Sequence, residues 1–506
     1  MAGNLILAYD FGTSGVKACV FDRNCRFLAS AYDTYPTEYP QEGYAVHNPL
    51  LWWDAMATAT RKVMGESGVR PEEICAISFS SHGGAVVPVD KNGALLMDRV
   101  MVWNDARCRE EADEILRTVG EQEHYRRTGN SMDLSMSTSA KLLWLRRHLP
   151  DVYRNTYKFL GAKEYIIYRM TGIMGLTDYA EVSASGAYNL QTGDWDPELV
   201  ELCQLDVEKL CRGADPTTYV GGLTPQAAGQ LGLCPDIPVI LGSWDNYACA
   251  TGGGVQEQGR MVVCMGTAGW MGLNHSAPIM LPECKTNVVR VGEHTYFTSI
   301  HTHSACAAYD WVRANMCRKD GKPISPEEAE KMAEQVPAGS EKLFFLPSMF
   351  TGNTFYSSSA LCGTFVGLKM MQGTAHLLRA AMEGPAFDLM MGAQLLKERG
   401  LMADTCHLIG GGAKSDLWRQ ILADMFGVPM VRPKYPQHIG ALGAALFAGT
   451  GVGVIQQYDA AAPVHSGGAA LPDQARTRVY QSLLPVYRQC YEALMPVYKE
   501  LQAAAR

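Results

Sequence analysis

The sequence predicts an α/β protein with two domains. Short apolar strands alternate with helical stretches along its length, an order that builds sheets flanked by helices. A unit of strand, tight Gly-Thr-x-Gly turn and return strand occurs twice, about half a chain apart. At 506 residues the chain is also about twice the length of a common domain.

The elements follow in order. In the first hairpin, Leu5-Ile6-Leu7-Ala8-Tyr9-Asp10 leads into Gly12-Thr13-Ser14-Gly15 and returns along Val16–Asp22. Ile74–Phe79 is an apolar strand that runs into Ser80-Ser81-His82-Gly83-Gly84. Ala85–Val89 and Asp90-Lys91-Asn92-Gly93 read as a strand and a turn, and Val100–Val102 as a strand ahead of Trp103-Asn104-Asp105-Ala106-Arg107. Helical periodicity covers Ser139 to His148. Ile237–Leu241 is a further strand, ending at Gly242-Ser243-Trp244-Asp245-Asn246. The small, glycine-rich stretch Ala248–Gly254 marks the expected boundary, giving domains 1–250 and 251–506. The second half restarts with Met261–Met265, the turn Gly266-Thr267-Ala268-Gly269 and its return strand. A helix around His376–Arg399, a strand at Thr405–Ile409 and the run Gly410-Gly411-Gly412 follow. Helices around Asp416–Phe426, Gly440–Ala448 and Tyr480–Leu501 complete the chain.

Composition narrows the class. Hydrophobic residues make up 47%, enough for two sizeable cores. A net charge of −8 without a basic run argues against nucleic acid as the main partner. No basic segment precedes a long apolar one at the N-terminus, and no run approaches ~20 apolar residues, so neither a secretion signal nor a membrane span is expected. The 15 cysteines are scattered, many inside apolar runs, with no Cys-x-x-Cys pair. That usage reads as buried reduced thiols in a cytoplasmic protein.

Several residues have the chemistry for a phosphate-handling site. Glycine turns bring backbone N–H groups close to a ligand and form concave anion sites. Asp10, at a strand end beside the first turn, suits Mg²⁺ held against phosphates, and Lys17 on the return strand offsets phosphate charge. The alternative is a structural hairpin with a surface aspartate. Gly410-Gly411-Gly412 between a strand and a helix suits a nucleotide, or simply a turn; it is neither a Rossmann fingerprint nor a P-loop. Asp245 with Asn246 at a strand end suits a general base, or a helix cap. His82, Trp103, Asn104 and Asp105 supply the apolar plate and directional hydrogen bonds that a polyhydroxylated ligand needs, although a His or Trp at a strand end is often structural. His301 and His303 share a strand face, but no Cys or carboxylate cluster accompanies them, which favours non-metal roles.

Taken in order, these pieces resemble the FGGY carbohydrate kinase family, most closely its xylulokinase-like branch. Asp10-Phe11-Gly12-Thr13-Ser14-Gly15-Val16-Lys17 resembles the first phosphate motif and Gly266-Thr267-Ala268-Gly269 the second. His82-Gly83, Trp103–Arg107, Lys163–Gly172 with Thr177-Asp178-Tyr179, Gly242–Asn246 and Gly410–Gln420 are similar to further family segments, so the likeness spans roughly Ala8 to Gly451. Two departures stand out. Ser80-Ser81 replace a Gln-Met pair, and the segment after Leu346-Pro347 lacks a Gly-Glu-Arg run.

The resemblance implies two ribonuclease-H-like lobes of the actin/hexokinase type around a central cleft. The N-terminal lobe would bind the sugar and the C-terminal lobe ATP. It implies an ATP- and Mg²⁺-dependent kinase with Asp245 as general base and Asp10 orienting the metal. Thr13, Ser14, Lys17, Gly266 and Thr267 would hold the phosphates, and Gly411, Gly412 and Gln420 the adenosine end. His82, Gly83, Trp103, Asn104, Asp105 and Asn246 would hold the sugar. D-xylulose is the expected substrate, with other pentuloses, L-fuculose and tetritols such as erythritol as alternatives and an ATP-gated binding protein as the reading from another class. A homodimer is the expected assembly.

Overall fold

The computed structural model describes residues 3–255, 259–283, 285–319, 321–349, 352–356, 358, 360–455 and 468–504. It divides into two compact units: Met1–Gln256 with Asn274–Thr298 and His438–Pro463, and Glu257–Leu273 with Ser299–Gln437 and Val464–Arg506. Where the sequence suggests one boundary near residue 250, the chain passes between the units several times.

In the first unit a mixed sheet runs in the order Tyr219–Gly222, Pro238–Ile240, Ile74–Ser81, Leu5–Gly12, Gly15–Asp22, Phe27–Thr34. Leu5–Gly12 pairs antiparallel with Gly15–Asp22 and parallel with Ile74–Ser81. Both central strands are buried on both faces and mostly apolar, as strands covered on two sides must be. Tyr9 stacks on Phe79 at 5.6 Å between ring centres, and its hydroxyl meets Thr60 Oγ1 at 2.7 Å. That bond ties the sheet to the helix Pro49–Ser67, which buries Trp52, Met56 and Val63.

The other side of this unit carries two helices rich in small residues, Asp245–Gly252 and Ile439–Gly451. A Cβ on Gly443 would overlap the Ala248 carbonyl, and one on Gly252 the Ile439 carbonyl. Glycine at both positions therefore lets the helices approach backbone to backbone. Pairs of small residues here set where Asp245 stands.

The second unit repeats the plan. Its strands run Tyr296–Thr302, Gly269–His275, Arg260–Met265, Thr405–Ile409, Met430–Val431, Ala469–Ala470. Arg260–Met265 pairs antiparallel with Gly269–His275 and parallel with Thr405–Ile409. The outer pairs match as well: parallel then antiparallel in each unit. Two long helices, Thr374–Glu398 and Gln474–Ala504, complete this unit. Tyr480, Tyr487 and Tyr491 of the latter reach the buried carboxylates Glu383 and Asp388 of the former.

Two sheet-containing α/β units of one topology are the actin/hexokinase-type fold expected from the sequence. Every described cysteine is a free thiol. Among the described residues, no helix is long and apolar enough to cross a membrane.

Candidate active site

In the first unit, Asp10 closes the apolar part of its strand and stands in register with Lys17 across the hairpin. Its Oδ1 accepts a hydrogen bond from Ser80 Oγ at 2.7 Å. Burial pushes the Asp10 carboxyl up, against the pull of Ser80 and Lys17. Ser80, one of the two serines that replace the Gln-Met pair, thus spends its hydroxyl on Asp10. Ser81 Oγ turns to the His82 carbonyl at 3.2 Å. A Cβ on Gly440 would lie 2.8 Å from Asp10 Oδ1, so the helix Ile439–Gly451 brings bare backbone against this carboxylate.

Asp245 opens the helix Asp245–Gly252, and its Oδ1 accepts from the Asn246 N–H at 2.7 Å. Burial and then the negative charge of Asp10 push its carboxyl up to about 7. Two half-buried carboxylates that repel each other form a set that a divalent cation would relieve. Among the described residues, no group of three or more His, Cys, Asp or Glu is placed to hold a metal. Mg²⁺ needs no such cage, because it keeps waters and takes one or two carboxylates alongside substrate phosphates. Asp10 fits that role.

The strand before Asp245 is anchored by a buried charge cluster. Asp178 Oδ2 accepts from Ser243 Oγ at 2.7 Å, and Asp178 Oδ1 lies 3.0 Å from Lys163 Nζ. Lys163 also pairs with Glu164, which accepts from Thr177 Oγ1 at 2.6 Å. The family-like segments around Lys163 and Thr177 therefore position Asp245.

The expected sugar residues divide into two groups. Trp103 is 42% exposed, and its indole N–H donates to Thr13 Oγ1 at 3.0 Å, linking its loop to the first hairpin turn. Gly83 and Gly84 line a cavity together with Trp103, Trp244, Asn130, Glu181 and Asn287. A Cβ on Gly83 would lie 2.5 Å from Glu181 Oε2 and 2.7 Å from Trp244 Nε1, so a larger residue would displace one of these side chains. Asn104 keeps a buried Oδ1 with no hydrogen-bond partner.

His82 and Asp105 lie elsewhere. His82 is buried, its ring edge-on to His47 and Trp52, with neither ring nitrogen partnered. Burial drives its pKa down to about 3, so it is neutral. Asp105 is fully buried, and both its oxygens are engaged: Oδ2 by the Ala45 N–H at 2.8 Å and Arg107 Nη2 at 2.6 Å, Oδ1 by Arg107 Nε at 2.8 Å. It holds the Trp103–Arg107 loop rather than facing a ligand. Lys141 completes that frame. Its ammonium donates to the Gly84 and Val102 carbonyls, each at 2.7 Å, and clamps the two loops that carry the cavity wall.

Sequence reasoning missed Glu181, Asn130, Asn287 and the wall position of Trp244. The double glycine at Gly83-Gly84 was the available signal, since two bare residues in a row leave room for large neighbours. Nothing local marks Asn130 or Asn287.

In the second unit the turn between Arg260–Met265 and Gly269–His275 exposes Thr267 and Ala268. The Thr267 carbonyl accepts from Ala305 N at 2.9 Å, which fixes the turn against the helix Cys306–Asn315. Gly410 has φ +84°, and a Cβ there would lie 2.6 Å from the Met265 carbonyl oxygen; one on Gly412 would lie 2.6 Å from Met265 Cβ. The triple glycine thus packs on the end of the hairpin's first strand, with Gly411 open to solvent. Gln420, expected at the adenosine end, spends its amide N–H groups on the protein. Its amide donates to Asp424 Oδ1 at 2.9 Å and to the Leu471 carbonyl at 2.8 Å, within its own unit. Of the segment that lacks Gly-Glu-Arg, Phe350 and Thr351 lie outside the described residues.

His301 is half-buried and meets Ser299 Oγ at 2.9 Å; desolvation and the neighbouring His303 lower its pKa to about 3.

The N-terminal domain of the FGGY family of carbohydrate kinases matches residues 5–252, and the C-terminal domain of that family residues 261–452. The xylulose kinase of Bacillus subtilis (strain 168) is 26% identical over 486 residues, covering 96% of both chains. Two solved structures from Lactobacillus acidophilus superpose with TM-scores of 0.89. The gluconate kinase is 28% identical, and the ligand-bound xylulose kinase 27%; each comparison covers 98% of this chain and 99% of the other. With both family domains matched in order over nearly its whole length, this chain belongs to the FGGY family of carbohydrate kinases.

Proposed function

We propose that this carbohydrate kinase transfers the γ-phosphoryl group of ATP to a terminal hydroxyl of a small ketose, with D-xylulose to D-xylulose 5-phosphate as the leading reaction. The observation that carries the reading is the Asp245–Asp10 pair. Asp245 opens a helix fixed from both sides, and its pKa of about 7 suits a base that takes a proton near neutrality. In the ionised form it would accept the proton of the attacking hydroxyl as the phosphoryl group arrives. Asp10 would hold Mg²⁺, which when bound neutralises charge on the phosphates. Thr13, Ser14 and Lys17 support that end from the first hairpin. Gly266 and Thr267 would receive phosphate, and Gly411 and Gly412 would lie against the nucleoside.

The sugar would occupy the cavity beside Gly83-Gly84, with Trp103 as its apolar plate; Asn104, next to Trp103, and Asn246, next to Asp245, would add hydrogen bonds from outside that lining. Similarity to xylulose kinases and the His82-Gly83 segment support a pentulose. L-xylulose, D-ribulose, L-fuculose and erythritol are the neighbouring alternatives. The similarity to a gluconate kinase supports a second reading, a sugar acid as acceptor.

The test is ADP release from Mg-ATP, coupled to NADH oxidation, over a panel of ketoses, polyols and gluconate. One ketose should stimulate turnover strongly, and Asp245→Ala should abolish the response while ATP still binds. Turnover that no acceptor stimulates, or a fully active Asp245→Ala, overturns the assignment.

A further inference from the structure

The relatives divide between a neutral sugar and a sugar acid, and the wall of the cavity beside Gly83-Gly84 distinguishes the two. Its polar lining consists of the carboxylates Glu181 and Asp133, the amides Asn130 and Asn287, serine and threonine hydroxyls and two indoles. Among the described residues, no lysine, arginine or histidine lines it. Lys141, the cation behind the Gly84 backbone, directs its ammonium at the Gly84 and Val102 carbonyls. Asp133 is itself paired with Arg109 at 2.9 Å, so a sugar-acid carboxylate would meet no lining cation to pair with, whereas the hydroxyls of a neutral sugar would find acceptors.

Glu181 is built for that contact. Its Oε1 accepts from the Gly84 N–H at 2.7 Å, which fixes the carboxyl group over the double glycine. Its Oε2 makes no hydrogen bond among the described residues and stands 2.5 Å from where a Cβ on Gly83 would be. One oxygen is spent on the loop and the other is left to the cavity. Burial, with Glu164 and Asp178 nearby, pushes the carboxyl up, and such a group gains most from a ligand hydroxyl that replaces lost water. The buried cluster Lys163–Glu164–Asp178 behind it is paired and not available to a ligand.

Resting on the proposed sugar-kinase reading, we infer that Glu181 is the specificity-determining residue of this site: it binds a hydroxyl of a neutral ketose or polyol through Oε2 and excludes sugar acids.

The experiment measures kcat and KM for the best ketose and for gluconate in the wild type, Glu181→Gln and Glu181→Asp. Tryptophan fluorescence of the same proteins and of Asp245→Ala reports sugar binding without turnover, since Trp103 and Trp244 line the cavity. Wild type should favour the ketose at least a hundredfold in kcat/KM. Glu181→Gln should raise the ketose KM tenfold or more, with a smaller change in kcat, and narrow the discrimination against gluconate at least tenfold. Glu181→Asp, which restores a carboxyl group at this position, should recover that discrimination. Unchanged ATP affinity and melting temperature would show that the variants are folded. A wild type that prefers gluconate, or a Glu181→Gln variant with unaltered KM and discrimination, overturns the inference. The kinase reading fails separately: if neutral sugars quench fluorescence in a Glu181-dependent way yet none stimulates ADP release, Glu181 keeps its role and Asp245 loses its own.

Discussion

Asp245 holds the main conflict at this site. Its carboxyl must ionise to act as a base, yet burial and the charge on Asp10 oppose ionisation. Activity therefore has an acid limb. The kcat/KM for the sugar should fall about tenfold per pH unit below about 7, where the base is protonated. The same conflict predicts a stability change. A carboxyl whose folded pKa lies above its unfolded value stabilises the fold while protonated, and that contribution is lost as pH rises through about 7. Asp245→Asn should thus unfold at higher denaturant than wild type at pH 8, by about 1–2 kcal/mol after allowance for partial exposure. At pH 5, where the aspartate is neutral, the difference should largely close. Equal gaps at both pH values would sink this account. Asp10 and Asp245 stand out in the sequence because each follows an apolar run beside a glycine turn. Asp105 was not readable in the same way. Its side chain looks like a sugar ligand in sequence, and only the fold shows Arg107 and the Ala45 N–H saturating it.

Single helices and loops carry the next set of consequences. The helices Asp245–Gly252 and Ile439–Gly451 touch through bare backbone, so Gly443→Val should force them apart. We expect a loss of about 2–3 kcal/mol by chemical denaturation. We also expect a drop in kcat near a hundredfold, because Asp245 sits on the displaced helix. A variant of unchanged stability would show that the helices are not in this close contact. Lys141 offers an independent check on the loops. Lys141→Met would leave the Gly84 and Val102 carbonyls without their donor, at a cost of about 2–4 kcal/mol. The sugar KM should rise with it, while ATP affinity should not. Element reading from sequence succeeded where local signals agree. Thr405–Ile409 and Asp416–Phe426 form as expected, the latter capped by Ser415 and stopped by Gly427. It stopped short at Gln474–Ala504, which runs through Pro485 and Pro496. Local propensity argues against such a helix. Tyr480, Tyr487, Tyr491 and Tyr498 are nonetheless buried in it, with hydroxyls bound to Glu383, Asp388 and Thr364. That tertiary packing outweighs two lost backbone hydrogen bonds.

For the whole chain, the two units of shared topology predict two separable responses to ligands. A ligand that binds only the folded form of one unit stabilises it by about 2.7 kcal/mol at a hundredfold excess over its dissociation constant. Calorimetry should therefore show sugar protecting the unit that contains Asp245, and a non-hydrolysable ATP analogue with Mg²⁺ protecting the unit that contains Gly410–Gly412. Amide exchange would assign each effect to its residues. Protection of the Gly410–Gly412 segment by sugar alone would contradict this division of labour.

The repeated glycine hairpin, the strand-end aspartates and the triple glycine are local patterns, and the chain alone determined them, since turn chemistry and strand periodicity act over a few residues. Their order was enough to indicate the family and its two-domain α/β plan. What only the tertiary structure decided is which side chains spend their hydrogen bonds on the fold and which keep them for a ligand. Asp105 and Gln420 prove to be occupied, Ser80 serves Asp10, and Glu181 turns an oxygen toward the cavity. Those assignments depend on partners tens of residues away, brought together by burial of the sheet and its helices. No window of sequence contains both halves of such a contact.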